Sequence, residues 1–351
     1  MITIVRVHGN AYRREGARLF IRDDNRDDGD IAGAEWGGIL ERALANDAAP
    51  VIATGEPLIV SYDLADESPL GLGIGCPGTV DVLIERADED PVLDAWLTTL
   101  ERGDLAVLIT PLSGGAGRRL VYASGFSVGH LDDPGLEQLT DHRAQEWLRE
   151  SPLKSGAENV DGAEVFFDVS EPPPALVIFG AGHDVEVLAR HASWLGFVVL
   201  VVDSRGGFLD ADRYSGARVL FAPSHHFGDS VVLTPGSFVI LMNHHLERDQ
   251  DALRFSLESD ASYIGVLGPR ARLRRMLANL AADGYSAPPA VVSRIHSPVG
   301  LALGAETPEE VAVSIVAEIL AVRRGFSGGF LNGSDDTLHQ TRTHRAFGGV
   351  V

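Results

Sequence analysis

Residues 175–205 limit what this chain can fold into more than any other stretch. An apolar run, Ala175-Leu176-Val177-Ile178-Phe179, meets Gly180-Ala181-Gly182. A helix-period segment follows, and a second apolar run over 197–202 ends on Asp203. Strand, glycine turn, helix and strand in that order make the opening unit of a dinucleotide-binding fold. Without a Cβ, Gly180 and Gly182 let the backbone approach a phosphate, and the helix beginning near His183 offers free N–H groups and a positive dipole end. Asp203 stands about 20 residues past Gly182, where an acid meets a ribose hydroxyl in such folds. Val185 replaces the third glycine of the fingerprint, so the pattern specifies the strand–helix–strand unit more strictly than it specifies a nucleotide.

The rest of the composition narrows the class. At 351 residues the chain has the length of two domains. Asp and Glu number 50 against 29 Lys and Arg, a net charge of −21, which argues against nucleic acid and anionic membranes as partners. No apolar run reaches spanning length, and residues 1–5 lead into strand-like sequence without a basic leader, so a cytoplasmic protein is expected. The single cysteine, Cys76, excludes an intramolecular disulfide and a cysteine-cluster metal site.

The first part of the chain mixes strands (2–7, 17–21, 58–63, 79–85, 105–110, 119–123) with helices (35–46, 91–102, 137–150) without regular alternation. That order predicts an N-terminal α+β domain over 1–150. The strand at 79–85 alternates apolar and polar residues, the acidic stretch 22–30 reads as an exposed hairpin tip, and 71–78 is a glycine-rich loop around Cys76. Residues 151–174 read as a linker containing one short strand at 165–169 and the stiff Pro172-Pro173-Pro174. Residues 175–325 then alternate strands (218–222, 237–242, 263–267, 290–295) with helices (250–257, 269–280, 308–324). This predicts a C-terminal Rossmann-like, doubly wound parallel sheet and an α/β protein overall. The last helix has explicit ends: Thr307 with Glu310 as a capping box, Pro308 at the first position, and Gly325 after Arg323-Arg324. Residues 326–351 read as a flexible tail.

Several polar residues fall where such a sheet binds ligands. His183, His225-His226, His244-His245 and His296 all follow expected strands, placing them at carboxyl ends. Arg270 opens a helix after Gly268-Pro269, where cation and dipole together favour a phosphate. Arg272, Arg274 and Arg275 read as the solvated side of that helix. Cys76 lies among Gly73, Gly75 and Gly78, whose small size leaves its thiol room to be approached, although a lone cysteine is as a rule a small buried hydrophobe. No Ser-His-Asp set, paired-carboxylate geometry or Walker loop stands out.

These residues also resemble a known family. Pro172-Pro173-Pro174 leading to Gly180-Ala181-Gly182-His183 and Val202-Asp203-Ser204-Arg205, then Gly265-Val266-Leu267-Gly268-Pro269-Arg270, Arg294-Ile295-His296-Ser297-Pro298-Val299-Gly300, and Gly304-Ala305-Glu306-Thr307-Pro308 are similar to motifs of the XdhC/CoxI family. In the first domain, Gly75-Cys76-Pro77-Gly78 resembles the family's Gly-Cys-Gly-Gly loop. Tyr12-Arg13-Arg14 with Gly16-Ala17-Arg18 resembles its early motif. The resemblance implies a non-catalytic maturation factor for molybdenum hydroxylases such as xanthine dehydrogenase. Such a factor binds molybdopterin (the molybdenum cofactor) as cargo, protects it during sulfuration beside a cysteine desulfurase, and inserts it into the apo-hydroxylase as a homodimer. On this resemblance Gly180, Gly182, His183, Asp203, Arg205, His244, Arg270, His296 and Cys76 are cofactor-binding candidates, with Cys76 a candidate metal contact. Two departures stand out: Glu35 occupies the place of a family cysteine, and Asn243 that of a threonine in Met242-Asn243-His244. The alternative from the crevice alone is an NAD(P)-dependent oxidoreductase with a histidine as acid or base. There Asp203 favours NAD and Arg205 offers a charge for a 2′-phosphate. A scaffold that only contacts the hydroxylase would fit Glu35.

Overall fold

The computed structural model describes residues 1–21, 31–33, 39–65, 78–88, 90–102, 104–113, 117–150, 153–330 and 332. The chain divides into two compact units, one covering residues 1–172 and a second beginning at Pro173. The expected hairpin tip, the segment carrying Glu35, the loop carrying Cys76 and the tail from 333 onward lie outside the described residues.

The first unit opens with β1 (Ile2–Gly9), β2 (Arg18–Ile21), β3 (Ile31–Gly33), α1 (Ile39–Thr54), β4 (Leu58–Asp63) and β5 (Gly78–Ile84). It continues through α2 (Pro91–Arg102), β6 (Ala106–Ser113), β7 (Gly117–Tyr122), β8 (Ser127–Leu131), α3 (Pro134–Trp147), β9 (Gly156–Val160) and β10 (Ala163–Ser170). These strands make two antiparallel sheets, ordered β3-β2-β1-β5-β4 and β8-β7-β6-β10-β9. Helix α1 covers the first sheet through Leu44, Ala48 and Val51 against Ile4, Val82 and Ile84. On the second sheet, α3 and α2 take opposite faces: Trp147 stacks on Phe167, and Trp96 packs with Leu108 and Leu120. Val5, Leu83 and Phe166 fill the contact between the two sheets.

Three expectations for this unit change. Strand β5 does not alternate between core and solvent, because Val80, Val82 and Ile84 meet α1 while Asp81 and Leu83 are buried on the other face. Helix α1 runs on to Thr54 through Pro50, since burial of Ala48 and Val51 outweighs the local break. Residues 156–170, read as part of a linker, form β9 and β10, and β10 lies between β6 and β9. The hairpin signal was present: Asp161 and Gly162 both adopt positive φ, the two-residue turn that Asp-Gly favours between twisted strands.

The second unit contains β11 (Ala175–Phe179), α4 (His183–Trp194), β12 (Val198–Asp203), β13 (Ala217–Phe221), β14 (Ser237–Leu241), α5 (Leu246–Leu257), β15 (Tyr263–Val266), α6 (Arg270–Ala282), α7 (Pro289–Val292), β16 (Ile295–His296) and α8 (Pro308–Arg324). Its six strands are parallel in the order β13-β12-β11-β14-β15-β16, the doubly wound arrangement. Leu176 and Ile178 face α4 and α8, while Val177 and Phe179 face α5 and α6. Burial on both faces is why these strands read as unbroken apolar runs. The run 290–295 is not one strand. Pro289 at a helix start, with its φ already helical, begins the turn α7, and only Ile295–His296 joins the sheet edge. Helix α8 has the expected ends, including the Thr307–Glu310 capping box and a left-handed Gly325.

Candidate site at the switch point of the parallel sheet

The order of strand addition reverses between β11 and its parallel neighbour β14, so the crevice beyond their carboxyl ends is where a sheet of this order takes a ligand. Gly180 sits there at φ +124, and a Cβ on it would lie 2.5 Å from the carbonyl oxygen of Met242. Only glycine lets the β11 turn pass β14 so closely. Gly182 is the N-cap of α4 and Ala181 is buried, its carbonyl accepting the Tyr214 hydroxyl at 2.8 Å. Val185, in the third glycine's place, is fully buried between α4 and the sheet, so this departure is a matter of packing.

Asp203 is also buried, and its carboxylate is engaged. Arg205 donates to it from the backbone N (2.8 Å), Nε (2.9 Å) and Nη2 (2.7 Å). Burial by itself would raise this carboxyl, but the Arg205 bonds and the Ala181 amide hold it below the usual carboxylate range. The guanidinium lies 4.1 Å over the Phe208 ring. The acid expected to meet a ribose therefore closes the turn internally.

His244 follows β14 in a left-handed conformation, φ +52, and its Nε2 lies 2.7 Å from Asp184 Oδ2. A carboxylate only accepts, so Nε2 is the donor. The other Asp184 oxygen accepts the Val185 N–H at 3.1 Å. Asn243 is buried, and both its backbone N and its Nδ2 donate to Asp249 Oδ1 at 3.0 Å, while Arg272 Nη2 takes Asp249 Oδ2 at 2.6 Å. Arg272 is thus a strand-end anchor and not just a solvated arginine. His183 is exposed, its Nδ1 3.1 Å from Glu186, which also pairs with Arg213.

Arg270 and His296 form a separate group beyond β15 and β16. Arg270 is exposed at the start of α6, with Nε donating to the Ser297 carbonyl at 3.3 Å. His296 stacks on Tyr263, ring centroids 4.3 Å apart, and donates Nδ1 to Glu318 at 2.6 Å. Glu318 also accepts the Gly300 amide. Burial opposes its charge, yet His296 and Gly300 hold the Glu318 carboxyl below its usual range. The Tyr263 hydroxyl is pushed up, by burial first and by Glu318 second. Arg294, in the same motif, clamps the carbonyls of Leu257, Ser259 and Ala261.

The candidate histidines do not converge. His225 pairs with Asp251 and His226 with Asp229, while His183, His244 and His296 each face a different carboxylate. Among the described residues, no cluster of three or more His, Cys, Asp or Glu is arranged to hold a metal, and no helix is long and apolar enough to cross a membrane. The early motif of the first unit is architectural. Arg18 stacks on Trp96 at 4.2 Å and pairs with Asp168 of β10, and Gly16, at φ +85, leaves room for Ser155. Sequence reasoning passed over Asp184, Asp249, Glu318 and Arg294, all of which act through partners distant in the chain. Asp184 and Asp249 carried a local signal, an acid in the first turn of a helix.

Comparison with known proteins follows the same division. Residues 176–319 match the XdhC Rossmann domain, and residues 1–63 match the XdhC and CoxI family. A solved structure described as a xanthine dehydrogenase from Bacillus halodurans superposes with a TM-score of 0.76 at 31% identity, covering 92% of this chain and 90% of that one. A Bacillus subtilis protein described as a probable xanthine dehydrogenase subunit is 29% identical over 92% of this chain and 93% of its own length. The molybdenum cofactor insertion chaperone PaoD of Escherichia coli is 24% identical over 92% of this chain and 83% of its own length.

Proposed function

The chain belongs to the XdhC and CoxI family, and on that premise we propose that it serves molybdenum cofactor maturation. In this reading it holds the cofactor as cargo and inserts it into an apo molybdenum hydroxylase such as a xanthine dehydrogenase. The observation that carries the proposal is the likeness, over nearly the whole chain, to a molybdenum cofactor insertion chaperone. The cargo is a flat pterin ending in a phosphate. The turn at Gly180 and Gly182 followed by the N-terminus of α4 has the form such a phosphate needs. His183, Arg205, His244, Arg270 and His296 line strand ends on the same edge of the sheet as further candidate contacts. The histidines' pairing with separate carboxylates fits a protein whose strand-end residues grip the organic part of the cargo and not its metal. Cys76, the chain's single thiol, is the proposed metal contact. A cysteine desulfurase, a homodimer and a cytoplasmic location complete the proposal.

The nicotinamide alternative loses its main support at Asp203. A carboxylate that already accepts Arg205 and the Ala181 amide has little capacity left for a ribose diol.

The test is to purify the chain from cells making the cofactor, denature it, and identify what is released. A fluorescent oxidised pterin, with activation of apo-hydroxylase by the undenatured protein, is the expected result. Release of a nicotinamide nucleotide without pterin would refute the cargo reading. A Cys76→Ser protein that binds and delivers cargo unchanged would remove the thiol from it.

A further inference from the structure

Three carboxylates surround the glycine turn, and they are held in different ways. Asp203 is locked by the Arg205 fork and Glu186 is paired with Arg213, both permanent cations. For Asp184, among the described residues, the side chain facing it is the His244 imidazole, 2.7 Å away just past the carboxyl end of β14.

Helix α4 has no N-cap side chain, because Gly182 holds that position, and its first amides are left to find acceptors. The Asp184 side chain folds back over the turn. Oδ1 accepts the Val185 N–H and lies 2.5 Å from where a Gly182 Cβ would stand. A negative oxygen of the chain itself therefore occupies the seat that the turn and the helix dipole would offer a phosphate. His244 reaches it from a left-handed conformation, φ +52, that is uncommon for a non-glycine residue.

We propose that Asp184 is a built-in anion of the Gly180–Gly182 turn, and that its ion pair with His244 is a latch across the switch point that a phosphate-bearing ligand must open. Asp184 thereby becomes a specificity-determining residue. A ligand held by phosphate contacts alone competes with a carboxylate already in place, whereas one with further contacts along the strand ends can displace it. His244, released from Asp184, becomes a donor for the incoming phosphate. The identity of the natural ligand in this account rests on the cargo proposal, but the latch does not.

Titration of the full chain with inorganic pyrophosphate by calorimetry, at fixed pH and ionic strength, tests the latch alone. Asp184→Asn keeps the acceptor for Val185 and removes the charge, and is expected to bind pyrophosphate at least ~10-fold more tightly than the native chain. His244→Gln keeps a neutral amide donor that can still hold Asp184 but removes the imidazole that would turn to the incoming phosphate, and is expected to bind several-fold more weakly. These opposite signs separate a latch from general damage at the turn. A thermal melt confirms folding of both variants, and Asp184→Ser replaces Asp184→Asn if the latter is unfolded. Unchanged or weaker binding by the folded Asp184 variant overturns the proposal, and so does absence of binding by every protein at millimolar pyrophosphate. A gain in pyrophosphate affinity in a chain that releases no pterin would retain the latch and discard the cargo reading.

Discussion

Replacing Asp203 by Asn tests whether the acid of the dinucleotide fingerprint has been turned to internal use. Native Asp203 accepts three bonds from Arg205 and sits at the end of β12, fully shielded from solvent. Asn keeps one oxygen, which can still accept the backbone N–H of Arg205, but sets an NH2 group against the guanidinium. Two charge-assisted bonds are lost, each worth about 1.5–3 kcal/mol. Because the Arg205 side chain is 30% exposed and regains water, the lower end of that range applies. A loss of about 3 kcal/mol follows, which for a unit of this size lowers the melting temperature by about 6–12 °C. Since the folded-state carboxyl is held low, this stabilisation is fully present above the ordinary carboxylate value near about pH 4. It is lost as pH falls through the depressed value. Calorimetry of both proteins between neutral and acid pH should show curves far apart at pH 7 that converge in acid. If Asp203→Asn melts within about 2 °C of the native chain at neutral pH, the carboxylate is not engaged, and a ribose-binding role returns.

Two further substitutions probe the frame that holds the site. Arg294→Met keeps the length of the side chain but abandons the carbonyls of Leu257, Ser259 and Ala261, and should cost about 2–4 kcal/mol in urea unfolding. A loss below about 0.5 kcal/mol would show that water replaces the guanidinium at no cost. Gly180→Ala places a methyl group against the Met242 carbonyl at a backbone φ of +124, so it should destabilise the second unit by more than about 2 kcal/mol. An alanine variant with native stability would mean that the β11 and β14 ends are free to part.

Much of the second unit was legible because its signals are local. Apolar runs of five or six residues, glycine at a required positive φ, and a capping box each declare themselves within a few positions, and α8 has the expected ends. Legibility failed where tertiary burial overrode local pattern. In the first unit β5 is covered on both faces, so its alternation did not mark a solvent side, and α1 passes through Pro50 because its later turns are buried. The segment 290–295 looked like a strand by composition, yet prolines at 288 and 289 favour the helical turn that leads into the two-residue β16.

The polar network was the least legible part, and for a physical reason. A sequence fingerprint records which residue stands at a position, while ligand binding depends on whether that residue's hydrogen-bonding capacity is still free. Asp203 satisfies the fingerprint but has spent its oxygens on Arg205, only two residues away. Asp184 lies outside the fingerprint, yet it places an oxygen over the turn because His244, 60 residues later, reaches it. In the proposed reading these two carboxylates together change what the turn selects. A dinucleotide would need the ribose acceptor that Asp203 no longer offers and the phosphate seat that Asp184 fills. A ligand without a ribose diol to satisfy, and with enough contact along the strand ends to displace one carboxylate, loses neither. In the proposed reading the same fold holds a cofactor for transfer, and the Asp184–His244 pair, in place of a third arginine lock, decides when the turn is open.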